Sequence, residues 1–129
     1  DELPKKKVKK ERRIEDRTIL ILKEGDRVGI RKRPSKGLLA GLYELPGLEG
    51  HLSEEEVLTQ VKEWGYAPLR ILPLTGAKHI FSHVEWHMTG YEILVDELEK
   101  EFQNPEIIFA GKKDLEKNYA IPSAFSAYL

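Results

Sequence analysis

A chain of 129 residues, 40% hydrophobic and 33% charged, suffices for one domain with one core and little besides. It contains no cysteine, which excludes a disulfide framework, thiolate metal sites, iron–sulfur ligation and thiol catalysis within these residues. The net charge of −1 is unevenly spread: residues 1–40 carry 14 Lys/Arg against 7 Asp/Glu, and residues 41–129 carry 7 against 15, so a basic front end suits an anionic partner while the body binds no polyanion by charge alone.

In chain order, Asp1–Asp16 holds few apolar residues beyond Leu3, Val8 and Ile14 and predicts a basic linker, extended or disordered. It is too charged for a signal peptide, and no apolar run reaches the roughly 20 residues of a membrane helix. A cytoplasmic protein with no membrane partner is expected. Order is expected to begin at Arg17, leaving 17–129 as the folded domain. RTILILK reads as a strand buried on both faces, because Ile19, Leu20, Ile21 and Leu22 alternate across it. Glu24-Gly25-Asp26 is turn chemistry, and RVGIRKR returns as a second strand. Pro34 ends that strand, since proline cannot donate to a ladder. GLLAGLYELPG, residues 37–47, reads as a loop leading into a short strand.

HLSEEEVLTQVKEWGY carries the clearest helix. Ser53 as N-cap and Glu56 three residues on make a capping box, Leu52 and Val57 a hydrophobic staple, and Gly65 the stop. Val57, Leu58, Val61 and Trp64 share one stripe and should pack on the sheet. PLRILPLTGAKHIF and VEWHMTGYEILVDEL are two long β-rich runs. In the second, Val84, Trp86 and Met88 have one parity and Tyr91, Ile93 and Val95 the other, so a bulge near Gly90 is expected to put both sets on one face. IIFAG predicts another short strand, GKKDLEKN a helical turn, and YAIPSAFSAYL a final helix with Pro122 in its first turn. This order of elements fits an α+β domain better than alternating βαβ units.

The stretch KHIFSHVEWH concentrates three histidines and a serine. His79, His83 and His87 have the i, i+4, i+8 spacing that stacks metal ligands on a helix, but Ile80, Phe81, Val84 and Trp86 favour a strand. Four strand residues span about 13 Å, whereas two ligands of one zinc ion lie within about 4 Å of each other. Ser82 and His83 are neighbours that point to opposite faces of a regular strand, and no Gly-x-Ser-x-Gly elbow surrounds the serine. Phe81-Ser82-His83 falls where two strand-like runs meet. A tight loop there, with an aromatic ring, a hydroxyl and backbone amides, suits readout of a flat polar ligand such as a base.

The combination RKRP…KGLLAGLYELP (Arg31–Pro46), KHIFSHVEWH and YAIPSAFSAY resembles the C-terminal domain of the bacterial A/G-specific adenine DNA glycosylases, over about Arg17–Leu129. The basic front end is similar to the connector between that family's domains. The resemblance implies a Nudix fold, a mixed sheet flanked by helices, whose task is to recognise 8-oxoguanine opposite adenine in double-stranded DNA. Excision of the adenine, and the iron–sulfur cluster, would belong to a separate N-terminal catalytic domain. A monomer with no cofactor and no catalytic residue of its own is expected. By match to the family's Phe-Ser-His loop, Ser82 would touch the lesion while Phe81 and His83 shape the loop and approach DNA. A hydroxyl oxygen paired with the N7–H of 8-oxoguanine, together with a backbone N–H on O8, would reject guanine; such a paired contact discriminates by about 1–3 kcal/mol. Arg31, Lys32, Arg33 and Lys36 are candidate phosphate contacts or a solvated strand edge.

Two other readings stand beside this one. A divergent Nudix pyrophosphohydrolase needs Arg-Glu-x-x-Glu-Glu-x-Gly on its helix, because clustered carboxylates hold the divalent cations. Anchored at Gly65, that pattern puts Leu58 in the arginine slot, Thr59 and Lys62 in glutamate slots and Gly50 in the upstream glutamate slot; Glu63 alone matches. Glu54, Glu55 and Glu56 read as first-turn residues favoured by the helix dipole. The third reading is a protein-docking module.

Overall fold

The computed structural model describes residues 12–96, 106–119 and 121–129. Its elements are β1 (Arg13–Glu24), β2 (Arg27–Lys32), β3 (Tyr43–Glu44), β4 (Gly47–Glu49), α1 (Glu54–Glu63), β5 (Pro68–Ile80), β6 (Val84–Val95), β7 (Ile108–Ala110), α2 (Lys112–Asn118) and a closing 3-10 helix, Ser123–Tyr128. The final helix expected in YAIPSAFSAYL is this 3-10 turn, with Pro122 at its N-cap. Strand β1 begins at Arg13, so four residues assigned to the linker are strand; the rest of that assignment, 1–11, lies outside the described residues.

The sheet runs β3-β2-β1-β6-β5, with β4 also on β1 and β7 also on β2. It is mixed: β1 and β6 are parallel, and the other pairs antiparallel. One edge of β1 is shared, with Arg17–Ile19 facing β4 and Lys23–Glu24 facing β2. The expected hairpin closes at Glu24 opposite Arg27.

Both faces of the sheet are covered. On one, Leu20, Leu22, Ile93 and Val95 meet Val57 and Val61 of α1, with Tyr66 and Ile107. On the other, Ile19, Ile21, Ile30, Val84, Trp86 and Met88 meet Ala124 and Phe125 of the closing helix. The bulge expected near Gly90 does not occur, because β6 keeps unbroken register with β1 from Arg13 opposite Val84 to Lys23 opposite Leu94. The parity change instead distributes the two apolar sets to opposite faces, each of which has a layer to pack against. The register shifts lie in β5, between Pro68 and Arg70 and between Leu74 and Ala77. Gly90 serves another purpose: a Cβ there would stand 2.7 Å from the Tyr128 ring, so its absence lets the closing helix lie on the sheet.

Helix α1 starts and stops as its sequence dictates. The Ser53 hydroxyl accepts the Glu56 N–H (3.2 Å) and the Glu56 carboxylate accepts the Ser53 N–H (2.9 Å). At the other end Gly65 has φ +96°, and the N–H groups of Gly65 and Tyr66 return to the carbonyls of Lys62 and Val61, a Schellman closure. Buried Thr18 ties the helix entry to β1: its hydroxyl donates to Gly50 O (2.7 Å) and accepts the Leu52 N–H (2.9 Å).

Candidate functional site

The antiparallel pair β5–β6 projects Phe81-Ser82-His83 as its tip. The Phe81 N–H donates to Val84 O at 2.7 Å and closes the turn. Ser82 and His83 are exposed, whereas Phe81 is half-buried. Neither the Ser82 hydroxyl nor the backbone N–H groups of Ser82 and His83 bond to any described residue. The tip therefore presents two backbone donors and one amphoteric hydroxyl to solvent. The His83 carbonyl accepts the Arg13 N–H at 3.1 Å, so the first residue of β1 braces the loop.

Phe81 points back into an aromatic stack. Its ring lies edge-on 4.7 Å from His79 and 5.0 Å from Trp86, and Trp86 lies 5.7 Å from Phe125. Trp86 is 0% exposed. Two guanidinium groups approach its ring, Arg17 at 4.4 Å from the centroid and Arg33 at 5.4 Å. The aromatic ring expected in the loop is thus a half-buried prop, and the groups that stand exposed are those of Ser82 and His83.

Next to the stack sits the basic strand β2 with its partner β3. Glu44 is buried and holds both arginines: Arg31 Nε donates to Oε2 (2.9 Å) and Arg33 Nη1 to Oε1 (2.7 Å). Arg31 also donates to Gly47 O and Arg33 to Leu38 O. Much of the donor capacity of Arg31 and Arg33 is therefore spent inside the molecule, while Lys36 is exposed in the following loop. With both Glu44 oxygens occupied, Arg17 has Glu15 at 3.7 Å and the indole face. Burial holds the Arg17 guanidinium below the usual arginine range; Arg33 and Arg31 push the same way, and Glu44 and Glu15 oppose them.

The three histidines of the sequence motif go three ways. His79 packs on Phe81, His83 stands at the exposed tip, and His87 lies 3.6 Å from Glu85 with its carbonyl bonded to His51 (2.8 Å). At the opposite end of β1, a cleft of about 630 Å³ opens between Lys23, Glu92, Leu115, Tyr119 and Tyr128. No sequence pattern marked Arg17 and Trp86 as members of the site. One reads as a strand opening and the other as core, and nothing local pairs them.

The family model for the NUDIX domain matches residues 17–129. The chain belongs to the NUDIX domain family. Solved structures repeat the fold. The C-terminal domain of mouse MUTYH, solved with human PCNA, superposes with a TM-score of 0.70 at 24% identity, covering 88% of this chain and 86% of that one. A MutT NUDIX hydrolase from Burkholderia pseudomallei gives 0.62 at 18% identity, covering 89% and 95%. The NUDIX domain of Shewanella oneidensis NrtR, solved with ADP ribose, gives 0.58 at 16% identity, covering 95% and 88%.

The divalent cations that hydrolytic NUDIX domains use do not fit the donor set on α1. Thr59, in a glutamate slot, turns its hydroxyl onto its own helix at Glu55 O (2.9 Å). Lys62, in a second slot, is an exposed cation, and the upstream slot is Gly50, at φ +82° in the turn before the helix. Glu56, in the first turn, is committed to the capping box. No catalytic step follows from this NUDIX helix.

Proposed function

We propose that this chain is the lesion-recognition module of an adenine DNA glycosylase. It reads 8-oxoguanine opposite adenine in double-stranded DNA and leaves excision to a catalytic domain of the same protein. The observation that carries this reading is the β5–β6 tip, where the Ser82 hydroxyl and the N–H groups of Ser82 and His83 are unengaged above a packed aromatic base. The Ser82 oxygen would accept the lesion's N7–H while a tip N–H binds O8. Guanine offers N7 as an acceptor, to which the hydroxyl can donate, but has no O8, so it leaves the tip N–H unmatched. Lys36, with the remaining N–H groups of Arg31 and Arg33, would contact phosphates. The fold shared with the MUTYH C-terminal domain, and Thr59 and Lys62 in the glutamate slots of α1, support the same reading.

The test is a titration of the chain, at fixed salt, with duplexes carrying 8-oxoguanine or guanine opposite adenine. Tighter binding of the lesion duplex is expected, with the preference reduced by Ser82→Ala and by Phe81→Ala. Equal affinity for the two duplexes would sink the proposal, as would magnesium-dependent release of pyrophosphate from 8-oxo-dGTP. A protein-docking reading has its own support, because the MUTYH domain was solved with PCNA and edge strand β5 exposes Leu69 and Leu72 here. Partner binding that is indifferent to DNA and lost on Leu69→Ser would favour it.

A further inference from the structure

We infer that Arg17 is a positioning residue for the reading loop, acting through Trp86 and Phe81. The inference rests on the lesion-reading function proposed above. Trp86 is the floor of the loop, since the half-buried Phe81 ring leans on it at 5.0 Å and on His79 at 4.7 Å. The indole has no hydrogen bond to fix its rotation: its Nε1–H is buried and meets no described acceptor. Packing alone therefore holds the ring plane, shared between the apolar cluster of Ile19, Ile21, Leu45 and Met88 and the rings and guanidinium groups that lie against it. Phe125 and Phe81 abut it at tilted or edge angles, and the nearer of the two guanidinium groups belongs to Arg17.

Arg17 is suited to this by what it lacks. Its Nε meets no described acceptor, and both oxygens of the nearest buried carboxylate, Glu44, are already bonded to Arg31 and Arg33. No fork-to-fork ion pair draws the guanidinium off the indole, so cation–π attraction in a desolvated setting fixes it there. Its backbone is fixed as well, since Arg17 sits opposite Met88 in the parallel ladder and Glu49 in the antiparallel one. Four residues earlier on the same strand, the Arg13 N–H holds the His83 carbonyl. The opening of β1 thus fixes the loop twice, through a side-chain relay at Phe81 and a backbone bond at His83. Loss of the relay lets Phe81 swing and the Ser82 hydroxyl leave the plane in which it meets the lesion.

The experiment compares Arg17→Met, Arg17→Lys and, as a control on the distant hairpin, Arg27→Met. Each is measured for amide chemical shifts of residues 81–83 and for the ratio of affinities for 8-oxoguanine and guanine duplexes. Arg17→Met should move the loop amides and cut the ratio about fivefold, a part of the roughly thirtyfold that a whole desolvated cation–π contact is worth. Arg17→Lys should restore part of both, and Arg27→Met neither effect. Should Arg17→Met fail to fold, Arg17→Lys decides, because an ammonium keeps the charge and loses the flat plate; wild-type shifts and ratio in Arg17→Lys then overturn the inference. A folded Arg17→Met with unmoved loop amides also overturns it. If Ser82→Ala lowers the ratio and Arg17→Met does not, positioning fails and lesion reading stands. If the wild type shows no ratio, lesion reading fails and the loop amides alone decide the relay.

Discussion

Under α1 the sheet is packed mainly with aliphatic side chains, Leu20, Leu22, Val57, Val61, Ile93 and Val95, beside Tyr66, and the helix is fixed by a cap and a stop written into its own ends. The opposite face joins Trp86 and Phe125 to three arginines and one buried carboxylate, drawn from β1, β2, β3, β6 and the chain's last turn. The first face is a scaffold that would serve any NUDIX domain. The second is particular, and the exposed tip grows from it. On α1 the glutamate slots of the hydrolase pattern hold Thr59 and Lys62, while the unengaged polar groups of Ser82 and His83 stand at the end of a hairpin.

The largest test of that contrast is Trp86→Ala. Removing a fully buried indole that touches Phe81, Phe125 and two guanidinium groups should cost about 4 kcal/mol. Val61→Ala on the scaffold face should cost about half as much. Urea melts of the two variants give both numbers, and equal losses would erase the distinction between the faces. Glu44→Gln comes next. It strips the charge shared by Arg31 and Arg33 and leaves two part-buried cations facing each other, a loss of about 3 kcal/mol.

Ser53→Ala should lower the midpoint by an amount equivalent to about 1 kcal/mol, the worth of an N-cap, without altering any DNA preference. Ser82→Ala should do the reverse. On an exposed loop it should shift stability by no more than about 0.5 kcal/mol while reducing lesion preference. The smallest effect is a pH response at the closing helix. Burial raises the Tyr128 phenol above its usual value, so the folded state favours the protonated ring. That contribution is intact below the unfolded-state value of about 10 and is lost as pH climbs through the higher folded one. Tyr128→Phe should flatten the decline in thermal midpoint above pH 10.

How far the sequence reached depended on the range of the interaction involved. The Glu24–Arg27 hairpin, the Ser53 capping box and the Gly65 stop are determined by residues a few positions apart, and each stands where the sequence put it. The double-sided burial of Ile19–Leu22 was legible too, because four consecutive apolar residues on a strand must face both ways. The α+β order and the junction of two strands at Phe81-Ser82-His83 followed from composition and length.

What sequence could not supply was the identity of each partner. The parity change in β6 has two solutions, one bulge or two covered faces, and periodicity cannot tell them apart without knowing that a second layer exists. The tertiary structure chose two faces, since helices on both sides cover both apolar sets of β6 and leave no reason to break the ladder. The four basic residues of RKRPSK looked equivalent in the chain. Only folding brought Glu44 between Arg31 and Arg33 and left Lys36 outside. Arg17 meets Trp86 across 69 positions for the same reason. A side chain's local sequence sets its backbone, but its partner is decided by which strand the sheet places beside it.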